Sequence, residues 1–227
     1  MKRAKNNRRG DILKLLKRLL LVIAILVVLV FGAYAVFVNR IHSEVNVSDL
    51  PQDVYENDGD LQTLAMEKLV EIFSPFSTED DYTLFEDFLN LMILSIIRDD
   101  LNADYDPLAD PATDATTYIY KEDFIAIDKI YAHTNESDQI VLTVAFENHT
   151  LLKIDSKIVL VFDVDIHTLP SPGVTMTLNS LFLSDIDISI ETLDWILSHF
   201  DKTAIEDSVP YGELDLTDYT YTVSPTL

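Results

Sequence analysis

Hydrophobic and polar positions follow three different periods along the 227-residue chain. From Leu19 to Val38, "LLLVIAILVVLVFGAYAVFV", no charged residue interrupts the apolar run. As a helix rising 1.5 Å per residue, such a run spans about 30 Å, the thickness of a bilayer's hydrocarbon core. The pattern predicts a single membrane anchor; uncharged runs of this length are rare in buried helices of soluble domains. Nothing ionisable lies within it to suggest transport or a proton relay. Ala33-Tyr34-Ala35 has the small-x-small form of a signal-peptidase site. The apolar character continues through Val36, Phe37 and Val38, which fits an uncleaved anchor better than a cleaved leader.

Beyond the anchor, residues 39–59 are polar, with Pro51 and an "ENDG" cluster, and read as a stalk or linker. Helical spacing follows. Leu61, Leu64, Ala65, Leu69, Ile72 and Phe73 form one stripe. After "SPFST", Ser77 or Thr78 followed by Glu79, Asp80 and Asp81 predicts the N-terminus of a second helix, since side-chain oxygens and acids suit its unpaired N–H groups. That helix should run to about Arg98, with Phe85, Phe88, Leu89, Met92, Ile96 and Ile97 on its apolar side.

After an acidic, Pro-containing loop (99–117) the period switches to two. Strands are expected over Phe124–His133, Ile140–Glu147, Ile158–His167 and Val174–Asn179, and, after a phase break, over Asp185–Ile190. "NESD" (Asn135 to Asp138) and "LPSPG" mark turns. Each strand has one apolar face, as in an antiparallel sheet covered on one side. Thr192 to Phe200 returns to helical spacing, with Leu193, Ile196, Leu197 and Phe200 in register and Trp195 expected in the packing core rather than as a sugar platform. The tail "ELDLTDYTYTV" adds an edge strand. The fold class is α+β: a transmembrane helix, then an exported domain whose antiparallel sheet packs against two or three helices. The organisation is a tail (1–18), an anchor (19–38), a stalk (39–59) and the exported domain (60–227).

Charge sharpens this layout. Lys2, Arg3, Lys5, Arg8, Arg9, Lys14, Lys17 and Arg18 face the single acid Asp11 in the first eighteen residues, a net of +7. Of the chain's 16 basic and 39 acidic residues, the other 8 and 38 follow Val38, a net of −30. The positive-inside rule then puts the N-terminus in the cytoplasm and the domain outside. An acidic domain lacks the basic footprint that nucleic acid requires. With no cysteine there are no disulfides, which favours the outer face of a bacterial plasma membrane over a eukaryotic secretory route. Sequons at Asn46, Asn135 and Asn148 decide little.

Candidate chemistry is sparse. Asp163, Asp165 and His167 alternate on one strand face and could converge on a transition metal, with Glu147 or His149 from a neighbouring strand; the alternative is the wet face of an amphipathic strand. Asp100, Asn102, Asp104 and Asp106 have the every-other-residue oxygens of a calcium loop. Tyr105 stands where that loop wants Gly, and Pro111 where it wants a bidentate Glu. Asp185 and Asp187 form a carboxylate pair without a cleft or a feature to push their pKa values apart. None of His42, His133, His149, His167 and His199 sits in a catalytic motif, and five glycines leave little material for a phosphate loop.

Together with the anchor, "FEDFLNLMILSII" (Phe85 to Ile97) and "KIVLVFDVDIHTLPSPGVTMTLNSLFLSDIDISIETLDWIL" (Lys157 to Leu197) resemble the YpmS-like family of Gram-positive membrane-anchored proteins. The resemblance covers most of residues 1–200, by order of elements rather than by a sharp motif. It implies no established activity. At fold level it is also similar to lipid-cradling domains, in which a curved sheet and a long helix enclose an apolar groove.

These readings lead to an expected non-catalytic binding or accessory domain of the bacterial envelope, held to the membrane by Leu19–Val38, binding an envelope partner or a lipid in an apolar groove, with no cofactor and no nucleic acid. The alternatives are a structural partner domain in an envelope complex, or a metal-dependent hydrolase using Asp163, Asp165 and His167.

Overall fold

The computed structural model describes residues 43, 45, 50–56, 59–77, 79–107, 109, 117–148, 154–167, 172–200, 202–206 and 212–224. The tail, the anchor, Ala33-Tyr34-Ala35, His42, Asn46, Pro111 and His149 lie outside them. Among the described residues no helix is long and apolar enough to cross a membrane, and Leu19–Val38 is not part of that set.

The helices are α1 (Gln52–Tyr55), α2 (Leu61–Ile72), α3 (Asp81–Asp100), α4 (Ile190–Leu197) and α5 (Lys202–Glu206). The strands are β1 (Tyr120–Lys121), β2 (Ile125–Thr134), β3 (Ile140–Asn148), β4 (Ile154–His167), β5 (Gly173–Leu183), β6 (Ile186–Ile188), β7 (Gly212–Asp215) and β8 (Thr220–Val223). They form one curved antiparallel sheet in the order β1-β2-β3-β4-β5-β8-β7, with β6 also on β5. The architecture is the expected α+β.

Local chemistry sets the boundaries. Asp60 and Asp80 cap α2 and α3, their carboxylates accepting from Thr63 N and Thr83 N, each at 3.2 Å. The cap of α3 is therefore Asp80 rather than Ser77, because the acidic run places a carboxylate nearer the first helical N–H groups; Thr78 lies outside the described residues. In the β2–β3 turn Asn135 Oδ1 accepts from Ser137 N and Gln139 N, and Asp138 takes φ 57°, a left-handed conformation that Asp tolerates. The phase break in β5 is a bulge: Val161 faces Ser180 and Phe162 faces Leu178, so Asn179 has no partner opposite it and the strand continues to Leu183 with its apolar side restored.

The tail is a hairpin rather than one edge strand. β8 pairs with the first half of β5, through Val174 to Thr177, and β6 takes the second half of the same edge, through Leu181 to Leu183. Residues 50–55 are not a free stalk either, because Leu50, Val54 and Tyr55 are buried in the core. Their apolar side chains are spaced for one face of a short helix, a signal masked by the surrounding polar residues.

The longer helices, α2 and α3, gather at the β2 margin of the sheet, while α5 meets β7 at the opposite edge. α2 packs on α3, burying Ala65, Leu69 and Ile72 of one with Leu84, Phe85 and Phe88 of the other. α3 in turn lies along β2. β1 covers only Ala126 and Ile127 of β2, so the rest of that edge would expose unpaired backbone groups. Asn90, 2% exposed in the middle of α3, supplies the missing pairing: Ala132 N donates to its Oδ1 at 2.7 Å and its Nδ2 donates to Ala132 O at 2.8 Å. Glu86 Oε2 accepts from Thr134 N at 2.6 Å, and Tyr105 OH donates to Asp128 O at 2.8 Å, at the bulge in β2.

Replacing Asn90 by Ala or Leu strands one buried N–H and one buried C=O, each worth ~1–3 kcal/mol when unsatisfied. We expect Asn90→Leu to lower unfolding free energy by about 3 kcal/mol in urea titrations at unchanged m-value, and a loss under about 1 kcal/mol would contradict this role.

Candidate functional site

The candidate site is the inward face of β4, β5 and β6. Strand alternation puts Ile158, Leu160, Phe162, Val164 and Ile166 of β4 on one face, opposite Leu183, Leu181, Leu178, Met176 and Val174 of β5. Ile186 and Ile188 of β6 extend the face across Leu183 and Leu181. Ile158, Val174, Met176, Leu181 and Leu183 are buried. Leu160, Phe162, Val164, Ile166, Leu178, Ile186 and Ile188 are only half-buried, although they pack against the core. The stripe Leu89, Ile93 and Ile96 of α3 is half-buried in the same way. The reason is the placement of the helices: the main helix–sheet packing falls on β2, and the short α4 buries only Leu193, Ile196 and Leu197. Partly covered apolar surface remains on these three strands. A separate shallow depression of about 830 Å³ lies on the outer side of α2, lined by Asp60, Gln62, Thr63, Met66, Glu67, Val70, Glu71 and Ser74.

The polar residues singled out in the sequence fall elsewhere. Asp163, Asp165 and His167 alternate on the exposed face of β4. Both oxygens of Asp163 are occupied by neutral amides: Gln139 Nε2 donates to Oδ1 at 2.6 Å and Asn179 Nδ2 to Oδ2 at 2.8 Å. The carboxylate thus clasps the β2–β3 turn to the β5 bulge across β4. These two hydrogen bonds, Gln139 first, hold its pKa below the ordinary 3.8. Asp165 Oδ2 lies 3.6 Å from His167 Nε2 at the open surface. Glu147 does not join them. It faces Asp155, eight residues back along β4 from Asp163, or about 26 Å at strand rise. Its Oε2 accepts instead from Tyr118 OH at 3.1 Å, and burial with the neighbouring Glu147 charge pushes that phenol up to about 12. Among the described residues no group of three or more His, Cys, Asp or Glu is placed to hold a metal ion.

The acidic loop is organised by its own side chains. Asn102 Oδ1 accepts from Asp104 N at 3.2 Å and its Nδ2 donates to Tyr118 O at 2.8 Å, an Asx turn that takes up the oxygen a cation would need. Tyr105 is buried, and burial raises its phenol pKa. Asp100 closes α3, and Asp104 lies exposed beyond the turn.

Asp185 and Asp187 do not form a pair on one strand. Ser184 and Asp185 make the β5–β6 turn, with Ser184 at φ 51°, and Asp187 stands exposed on β6 opposite Phe182. α4 starts at Ile190, earlier than the expected Thr192, because Ser189 Oγ caps it by accepting from Thr192 N at 3.3 Å. Trp195 is 64% exposed, against the expectation of a core residue. Leu193, Ile196 and Leu197 occupy the inner stripe, and position 195 lies about 200° round the helix from Leu193. Its ring meets His199 edge-on at 4.9 Å. Asn148 of the third sequon is buried at the end of β3.

Sequence reasoning missed Asn90, Gln139 and Asn179. For Asn90 a signal existed, a lone amide inside the apolar run "FLNLMIL"; the other two depend on a register that only the folded sheet defines. A scan against protein-family models finds no match, and searches of curated proteins and of solved structures find none either.

Because its folded pKa is depressed, Asp163 contributes stability above the ordinary carboxylate range that is lost as pH falls through the folded value. In a carboxyl-detected NMR titration Asp163 should titrate below 3.8, and Gln139→Ala combined with Asn179→Ala should move it up toward that value. An unchanged midpoint in the double variant would contradict the clasp.

Proposed function

We propose that the chain is a non-catalytic, membrane-anchored binding domain on the outer side of a bacterial plasma membrane, and that the half-covered face of β4, β5 and β6 receives a lipid acyl chain. The observation that carries this reading is the group of seven apolar side chains on β4, β5 and β6 left partly open. From Leu160 to Ile166 the group is about 20 Å long at strand rise, more than the roughly 15 Å hydrocarbon depth of one leaflet. Anchorage through Leu19–Val38 would keep the domain beside such a ligand at high local concentration. The likeness to the YpmS-like and lipid-cradling patterns supports the same reading.

The hydrolase alternative has less support, since both oxygens of Asp163 are already occupied by amides. A structural role in an envelope complex is favoured by one observation, the exposed Trp195, an aromatic of the kind that anchors protein interfaces. Cross-linking from position 195 in whole cells distinguishes that role by yielding one fixed neighbour.

Residues 39–227, exported without the anchor and purified free of detergent, should carry extractable lipid by mass spectrometry. Phe162→Asp and Leu178→Asp should each lose it several-fold while circular dichroism stays that of the parent. A lipid-free parent domain with its fold intact would overturn the proposal.

A further inference from the structure

We propose that the sheet end bearing the β1–β2 turn rests on the bilayer surface, with Phe124 and Tyr120 seated in its interface. This inference rests on the reading of Leu19–Val38 as an anchor and adds to it the orientation of the domain. Four residues separate Val38 from Ser43, so five Cα–Cα steps give a reach of at most about 18 Å. Ser43 is not free to swing: its N–H donates to Asp155 O at 3.0 Å, and Val45 packs against the core. Ser43 therefore adds to the open edge of β4 just beyond Lys157, whose carbonyl accepts from Ser184 N. The anchor's exit point is tied to one end of the sheet.

Register identifies what else lies at that end. Asp155 neighbours Glu147 and Ile154 neighbours Asn148, which in turn faces Ile125 at the start of β2. Phe124 precedes Ile125, so it sits about two strand spacings, or about 10 Å, from Asp155. Glu122 N donates to Ile125 O at 2.8 Å, closing a tight turn with Asp123 and Phe124 at its tip. Phe124 is 52% exposed and Tyr120, at the outer strand, 42%. Tyr, with one apolar and one wet end, concentrates at membrane interfaces, and an exposed Phe beside it buries its apolar ring at the headgroup–acyl boundary. Glu122 Oε1 accepts from Tyr120 OH at 2.6 Å, which fixes the Tyr120 ring beside the turn.

The opposite end fits the aqueous side. His167 is twelve residues along β4 from Asp155, about 40 Å at strand rise. Asp163, Asp165, Glu136 and Asp138 gather there, as Glu122, Asp123, Glu147 and Asp155 do at the near end, so the tether and the exposed rings rather than charge distinguish the two ends. Phe76, 89% exposed, precedes the end of α3 at which Glu86 meets Thr134, and so belongs to this far end.

The chain contains no cysteine, so single-cysteine variants report cleanly. Full-length Phe124→Cys, Phe76→Cys and Ser137→Cys proteins, labelled with an environment-sensitive fluorophore, are reconstituted into vesicles of phosphatidylethanolamine and phosphatidylglycerol with and without doxyl-labelled lipid. We expect a several-fold loss of emission at position 124 and little at 76 or 137. Equal emission at all three positions, with the protein still resistant to alkaline extraction, overturns the orientation while leaving the anchor standing. Protection from water at 124 without lipid quenching means that a protein covers this end, and also overturns it. Release of the protein from vesicles by alkaline extraction overturns both the orientation and the anchor.

Discussion

The pairing of α3 with the open edge of β2 is the constraint on which the rest of the fold depends. β1 is two residues long and cannot finish the sheet. An unpaired edge of this length invites association with other chains. Here a helix closes it, with Asn90 imitating a strand through one donor and one acceptor, and Glu86 and Tyr105 completing the row. The geometry admits no exchange of the Asn90 amide atoms, since Ala132 presents one N–H and one C=O and each must meet its complement.

Committing α3 to the margin has a consequence on the other side of the sheet. α2 precedes α3 and buries itself against it, secured by its Lys68, which bridges Glu79 in the intervening loop and Asp87 of α3 at 3.2 and 2.9 Å. The remaining helix near β5 and β6, α4, is eight residues long. Such a helix covers little of an eight-stranded sheet, so Leu160, Phe162, Val164, Ile166 and Leu178 remain partly open. The same arrangement that seals the edge leaves the apolar face incompletely covered, and we place the function there.

Much of this was legible in the sequence. Period-two alternation marked the apolar side of β4, whereas β2 and β3, expected to have one wet face, are buried on both because that part of the sheet is covered on each side. The caps at Asp60 and Ser189 fall where short polar residues precede helical spacing. What was not legible depends on long-range register. The bulge at Asn179 restores the face of β5 only because β4 is its neighbour, and the amides of Gln139 and Asn179 converge on Asp163 from 24 and 16 residues away. Trp195 shows the opposite failure, where residue type suggested core but its angle on α4 left it outside. The candidate face itself could be read from alternation; its partial exposure could not, because exposure depends on where the helices pack.

The most direct measurement is a methyl-resolved NMR titration of the exported domain with a single-chain lysophospholipid below its micelle concentration. The methyl groups of Leu160, Val164, Ile166, Leu178, Ile186 and Ile188 should shift together and saturate, while those of Val70 on the outer side of α2 stay in place. Shifts confined to Val70 and Met66, or no saturable shift on β4, β5 and β6, would contradict an apolar face that binds lipid.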